Sequence, residues 1–274
     1  MALEQKINAE SPVGVFDSGV GGLTILAEIR KALPLENYVY FGDTDHCPYG
    51  IRSEAEIAEL SVINCRFLIE QGAKLIIVAC NTASQAALNA LRATYSVPFI
   101  GVVPAVKPAA RATKRGRIGV IATNQAAQAA YLRRLIADFA DGNEVYTAGC
   151  PELVTLAEQG QFDGPAVEAT LCHALQPLLE RDIDVLVLGC THFPALRPAI
   201  ERVVGADVQV IDSGSAIARR TRTILESANL LRVVDTQPGT QGTLQVWCSG
   251  DAASFSEIAS KLLGYPVIAH HASL

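Results

Sequence analysis

A chain of 274 residues with 50% hydrophobic side chains can bury one large core or two smaller ones, which excludes a disordered or fibrous polymer. Its net charge of −6, with basic residues dispersed apart from Lys114-Arg115-Arg117, argues against nucleic acid as a partner. Seven cysteines, odd in number and without a Cys-x-x-Cys pair, point to reduced thiols in a cytoplasmic protein and exclude a disulfide framework.

The first residues, Met1 to Ser11, hold two acids and a lysine but no apolar core segment, so no signal peptide is expected. A strand is expected over Val13–Phe16. It runs into Asp17-Ser18-Gly19-Val20-Gly21-Gly22, which opens a helix to about Leu33, and a second strand covers Tyr38–Phe41. The turn lacks the Gly-x-Gly-x-x-Gly spacing of a dinucleotide site. Its backbone N–H groups suit a smaller anion such as a carboxylate, unless the glycines serve only a tight turn.

The loop Gly42–Gly50 is rich in turn formers. Ser53-Glu54-Ala55-Glu56 then reads as a capping box opening a helix to Gln71-Gly72. The unalternating apolar run Leu75-Ile76-Ile77-Val78 suits a parallel strand covered on both faces, and it delivers Cys80, Asn81 and Thr82 at its carboxyl end. Asn81, Thr82, Ser84, Gln85 and Asn89 interrupt the stretch Leu75–Leu91, so no membrane span is expected.

A strand over Val97–Val103 follows, and Lys114-Arg115-Arg117 reads as a solvated loop before the next strand. A helix over Pro165–Glu180, kinked near Pro177, leads to a second apolar run, Val185–Leu188, ending in Gly189-Cys190-Thr191-His192. The chain closes with a strand over Thr243–Cys248 and a helix over Ser254–Leu263.

The pattern repeats. Val13–Ser18 matches Ile118–Thr123 at an offset of 105, Cys80 matches Cys190 at 110, and Pro98–Val103 matches Val208–Ser213 at 110. Two similar doubly wound α/β lobes with mostly parallel sheets follow, residues 1–102 with 213–274 and residues 103–212. Each presents a thiol to the cleft between them, where ligands of such sheets bind.

His192, two residues beyond Cys190, either caps a helix or faces solvent, or, as its setting favours, exchanges a proton with that thiol; Asp17 at its own strand end can serve Cys80 in the same way. Cys65 and Cys172 fall in predicted helices and read as structural. Cys47, beside His46 in a loop, stays open. His46-Cys47, Cys172-His173, Cys190-Thr191-His192 and His270-His271 lack zinc-ligand spacing, so no metal is expected.

Asp17-Ser18-Gly19-Val20-Gly21-Gly22, Pro48-Tyr49-Gly50, Cys80-Asn81-Thr82-Ala83-Ser84 and Gly189-Cys190-Thr191-His192-Phe193-Pro194, in that order, resemble the glutamate racemases of the cofactor-independent aspartate/glutamate racemase superfamily. The resemblance implies Cys80 and Cys190 as acid/base thiols, with Asp17 and His192 assisting them. It implies substrate contacts from Asp17, Ser18, Pro48, Tyr49, Gly50, Asn81, Thr82, Thr123, Thr191 and His192. Cys150–Gly160 resembles the segment that brings a carboxylate near the second thiol, and Glu158 is the matching position.

Two positions depart from the family pattern. Asp45 replaces an alanine, which puts an extra charge at the mouth, and Ala126 stands where a second hydroxyl is common. The implied reaction interconverts L- and D-glutamate without a cofactor, one thiol on each face of Cα, and supplies D-glutamate for peptidoglycan. The partner is then a small-molecule substrate, with neither nucleic acid nor membrane, and a homodimer stays open. Aspartate or hydantoin racemases, a thiol hydrolase and a non-enzymatic solute-binding module are the competing readings.

Overall fold

The computed structural model describes residues 7–233 and 240–274, so Met1–Lys6 of the expected leaderless start lie outside the described residues. The first half runs β1 (Val13–Asp17), α1 (Gly22–Ala32), β2 (Tyr38–Gly42), α2 (Glu54–Glu70), β3 (Leu75–Val78), α3 (Asn81–Thr94) and β4 (Phe99–Gly101). There follow α4 (Val106–Ala112), β5 (Arg117–Ala122), α5 (Asn124–Gln128), α6 (Ala130–Phe139), β6 (Glu144–Gly149), α7 (Pro151–Glu158), α8 (Pro165–Leu179), β7 (Val185–Leu188), α9 (Arg197–Val204) and β8 (Gln209–Ile211). The chain then returns through α10 (Gly214–Ser227), β9 (Leu244–Cys248), α11 (Ala252–Leu263) and β10 (Ala269–His271).

Among the described residues two sheets result, in the orders β10-β9-β2-β1-β3-β4 and β6-β5-β7-β8, and every pairing is parallel. The apolar runs form central strands because helices cover both sheet faces. Val13, Val15 and Ile77 pack with Leu23, Leu26, Ile217 and Phe255 on one side of the first sheet. Phe16, Ile76 and Val78 pack with Ile57, Leu68 and Leu91 on the other. In the second sheet Ile121, Leu186 and Leu188 meet Leu153, Leu171 and Ile200, while Ile118, Val120 and Val185 meet Val106 and Leu132.

The repeat extends to register. Val13 pairs with Leu75 as Ile118 pairs with Val185, and the order β2-β1-β3-β4 repeats as β6-β5-β7-β8. The outermost pair differs by one residue, since Ile76 faces Phe99 whereas Leu186 faces Val210. An edge strand with one neighbour is the element least constrained against such a slip.

Several local expectations shift. The expected Val97–Val103 strand shortens to three residues, and Val102 N–H still reaches Val78 O at 3.1 Å. Ser53 Oγ caps α2 by accepting from Glu56 N–H, but the Glu56 carboxylate turns to Arg52 and leaves the box half made. Pro177 lies in the last turn of α8. In the basic loop Arg115 and Arg117 share the single carboxylate of Asp182. Among the described residues no helix is long and apolar enough to cross a membrane.

Candidate active site

Parallel strands send all their carboxyl ends one way, so each lobe exposes its strand-end residues on a single rim. The rims meet. Ser18 after β1, Cys80 after β3, Thr123 after β5 and Cys190 after β7 line one cavity, together with Asn81, Thr82, Thr191 and His192. Pro48, Tyr49 and Gly50 close it from the loop after β2, and Val154 of α7, which the sequence reading missed, adds an apolar wall. Its volume is about 10 Å³, room for roughly one water.

The two thiols are both buried but differently supported. Cys80 sits at the amino end of α3, where its Sγ accepts from Ala83 N–H at 3.4 Å and from Ser18 Oγ at 3.6 Å. Burial, with the charge of Asp17 adding to it, pushes this thiol up to about 12. Cys190 Sγ lies 3.4 Å from His192 Nδ1, whose other nitrogen Nε2 is 2.5 Å from Glu158 Oε1. Burial works against a charged His192, but Cys190, Cys47 and Glu158 around it raise its pKa well above the ordinary imidazole value. Burial likewise opposes a charged Glu158, and the bond and charge of His192 still hold its pKa down. Each partner favours the charged form of the other, His192 buried and Glu158 partly exposed.

Asp17 stands at the carboxyl end of β1, next to the strand that leads to Cys80, as expected. It makes no hydrogen bond to Cys80; its Oδ1 accepts from Gly19 N–H at 3.0 Å and its Oδ2 from Thr191 Oγ1 at 3.0 Å, across the cleft. Burial raises its pKa to about 6 against the lowering effect of His192. Ser18 is the side chain that touches the Cys80 sulfur.

The glycine turn is needed for close approach across the cleft. A Cβ on Gly19 would lie 2.0 Å from Glu158 Oε1, and one on Gly21 would lie 2.7 Å from Thr191 Oγ1. The donors expected to hold a substrate carboxylate are turned to the protein's own acids, as Val20 N–H donates to Glu158 Oε1 at 2.9 Å. Thr82 Oγ1 and Thr123 Oγ1, 3.2 Å apart, make a further link between the rims.

Tyr49 lines the cavity, and its hydroxyl donates to Asp43 Oδ2 at 2.6 Å and accepts from Asn64 Nδ2 at 3.0 Å. Asp43 also accepts from Ser249 Oγ at 2.9 Å and faces His46 Nδ1 at 2.8 Å, so it anchors the whole loop after β2. Asn81 Oδ1 is buried without a partner among the described residues. Leaving such an acceptor unpaired costs about 1–3 kcal/mol, which favours a donor arriving with a ligand.

The other cysteines divide. Cys65 is buried in α2 as expected of a structural thiol, whereas Cys172 in α8 is exposed and packs in no core. Cys47, half-buried, lies beside Glu158 and His192. Asp45 stands at the mouth, lining a neighbouring cavity with Glu158. Thr123 caps α5 by accepting from Ala126 N–H at 3.2 Å, and position 126 offers no hydroxyl.

Comparison with known proteins agrees with this geometry. The Asp/Glu/hydantoin racemase family model matches residues 23–221. A glutamate racemase of Herpetosiphon aurantiacus is 43% identical over 91% of this chain and 96% of its own length. The crystal structure of a Bacillus anthracis glutamate racemase superposes with a TM-score of 0.86 at 36% identity, covering 97% of this chain and 99% of that one. The Escherichia coli glutamate racemase, solved with L-glutamate and the activator UDP-MurNAc-ala, gives 0.83 at 36% identity over 96% of this chain and 99% of that one. The two-lobed fold, the paired strand-end cysteines and these likenesses along nearly the whole length agree: the chain belongs to the Asp/Glu/hydantoin racemase family and, within it, to the glutamate racemases.

Proposed function

We propose that this racemase interconverts L- and D-glutamate by two-base proton transfer at Cα, with Cys80 and Cys190 on opposite faces. The observation that carries the reading is that two thiols from equivalent strand ends converge on one cleft with unequal proton environments. Cys80 is a protonated donor near neutrality because burial disfavours its thiolate. Cys190 has the His192 imidazolium against its sulfur, the partner needed while sulfur carries negative charge.

From L-glutamate, the Cys190 thiolate takes the α-proton and becomes a thiol, leaving the electron pair on Cα. The Cys80 thiol then donates its proton to the other face and is left as thiolate. From D-glutamate the roles reverse. Backbone donors at the amino ends of α3 and α5 stabilise charge spreading into the α-carboxylate, and Asn81 Oδ1 accepts from the α-ammonium. Asp17 assists through Thr191 and His192 through Cys190.

A cavity of about 10 Å³ cannot hold glutamate, so the reading requires the rims to part for entry, breaking the Asp17–Thr191 and Thr82–Thr123 bonds. The moving bodies are the lobes 1–102 with 213–274 and 103–212, a division supported by the membership of the two sheets. Supplying D-glutamate for peptidoglycan, the enzyme works in the cytoplasm, alone or as a homodimer.

The test is incubation of metal-free protein with L-glutamate and no added cofactor, followed by chiral chromatography. The expected result is approach to equal L and D amounts, no loss of rate in a chelator, and little turnover of L-aspartate. A requirement for pyridoxal phosphate, or faster racemisation of aspartate, contradicts the reading.

A further inference from the structure

Cys47 takes no part in the proton transfers, yet its sulfur, one ring nitrogen of His192 and a carboxylate oxygen of Glu158 all lie within 4.8 Å of one another. Thiolate, imidazole and carboxylate are the donor types that zinc accepts. With bonds of about 2.0–2.3 Å, neighbouring donors of a tetrahedral site stand roughly 3.3–3.8 Å apart. His192 Nε2 and Glu158 Oε1, 2.5 Å apart around a shared proton, need to separate by about 1 Å when a metal replaces that proton.

The three side chains come from separate segments: the loop after β2, the end of α7 and the turn after β7. Cys47 therefore belongs to one rim of the cleft, and Glu158 and His192 to the other. One of the three ligands also faces open space. Glu158 lines a cavity of about 200 Å³ shared with Asp45 and Asp251, and no basic side chain lines it. A recess carrying one sign of charge concentrates counter-ions.

We propose that Cys47, Glu158 and His192 form an inhibitory zinc site that clasps the two rims together. Binding releases the Cys47 thiol proton and the proton between His192 and Glu158, and zinc takes their place with solvent as a fourth ligand. The clasp opposes the opening that admits substrate. The inhibitory effect rests on the racemase reading, whereas the metal binding does not.

The test uses cobalt(II) as a coloured stand-in for zinc, added to metal-free protein without glutamate. One equivalent should bring up a thiolate-to-cobalt charge-transfer band that zinc abolishes. The band should persist in the Cys80→Ala/Cys190→Ala double variant and vanish in Cys47→Ala. In racemisation assays, zinc inhibition reversed by a chelator should weaken at least about tenfold in Cys47→Ala, each protein being referred to its own metal-free rate. No band in the parent protein, a band that follows Cys80 or Cys190, or unchanged inhibition of Cys47→Ala overturns the site. Band formation in a protein that does not racemise glutamate overturns the function and leaves the site standing.

Discussion

Asp17 has no exposed surface, and burial raises its pKa from 3.8 to about 6 although His192 pulls the other way. The folded chain thus holds this proton more tightly than the unfolded chain does. Its stabilising contribution is complete below about pH 3.8 and is lost as the pH rises through about 6. At neutral pH the ionised form costs about 3 kcal/mol. Asp17→Asn should therefore be more stable than the parent above pH 6, by on the order of 1–3 kcal/mol, with the gain vanishing near pH 4. The same variant should have lower kcat and lose the acid limb near pH 6 in the parent's kcat/KM profile. Denaturant titrations and rate profiles across pH 4–9 check both; a variant that keeps the acid limb removes Asp17 from proton transfer.

At the scale of elements, the strand that ends in Cys80 begins beside Lys74, which is buried against Glu36. Lys74 Nζ donates to Glu36 Oε2 at 2.6 Å, Ala9 O at 2.6 Å and Leu230 O at 2.9 Å, so all three protons are used. Burial lowers the Lys74 pKa, and Glu36 opposes that effect. Lys74→Met leaves the Glu36 carboxylate buried without its partner and should cost about 3–5 kcal/mol in urea unfolding. The Lys74→Met/Glu36→Leu pair should recover most of this. Because Lys74 lies at the opposite end of β3 from Cys80, kcat of the folded variant should hold; an unfolding loss below about 1 kcal/mol would make the ion pair incidental.

Local pattern reached the strand ends and stopped there. Leu75–Val78 and Val185–Leu188 were legible because an apolar run with no alternation has few homes in a fold, and the offsets of 105 and 110 reappear in strand register. The three-residue strand Ala269–His271 carries no apolar run and left no signal. The Tyr49 hydroxyl turned to Asp43, the Asp17–Thr191 bond and the meeting of Cys47 with Glu158 all join side chains whose approach only the packed lobes determine. Spacing along the chain reports neighbours on one element. The zinc-type trio draws one ligand from each of three segments, which is why no ligand spacing announced it.

At the scale of the whole molecule, duplication supplies two similar lobes and the cleft makes them unequal. One thiol stands with Ser18 and Ala83 N–H, the other with the buried His192 and, through it, the partly exposed Glu158. Two-base inversion requires a proton carrier on each face of Cα, and two converging thiols can supply one each. Cys80→Ala and Cys190→Ala should each lower racemisation at least ~10²–10⁴-fold, or roughly 3–5 kcal/mol of barrier, with folding intact. The most direct measurement follows early turnover of L-glutamate in heavy water by mass spectrometry with chiral separation. The two-thiol account predicts that the first D-glutamate carries solvent deuterium at Cα while the remaining L-glutamate stays protonated. Early D-glutamate that retains the substrate's own hydrogen would mean that one group carries the proton across both faces, and would contradict it.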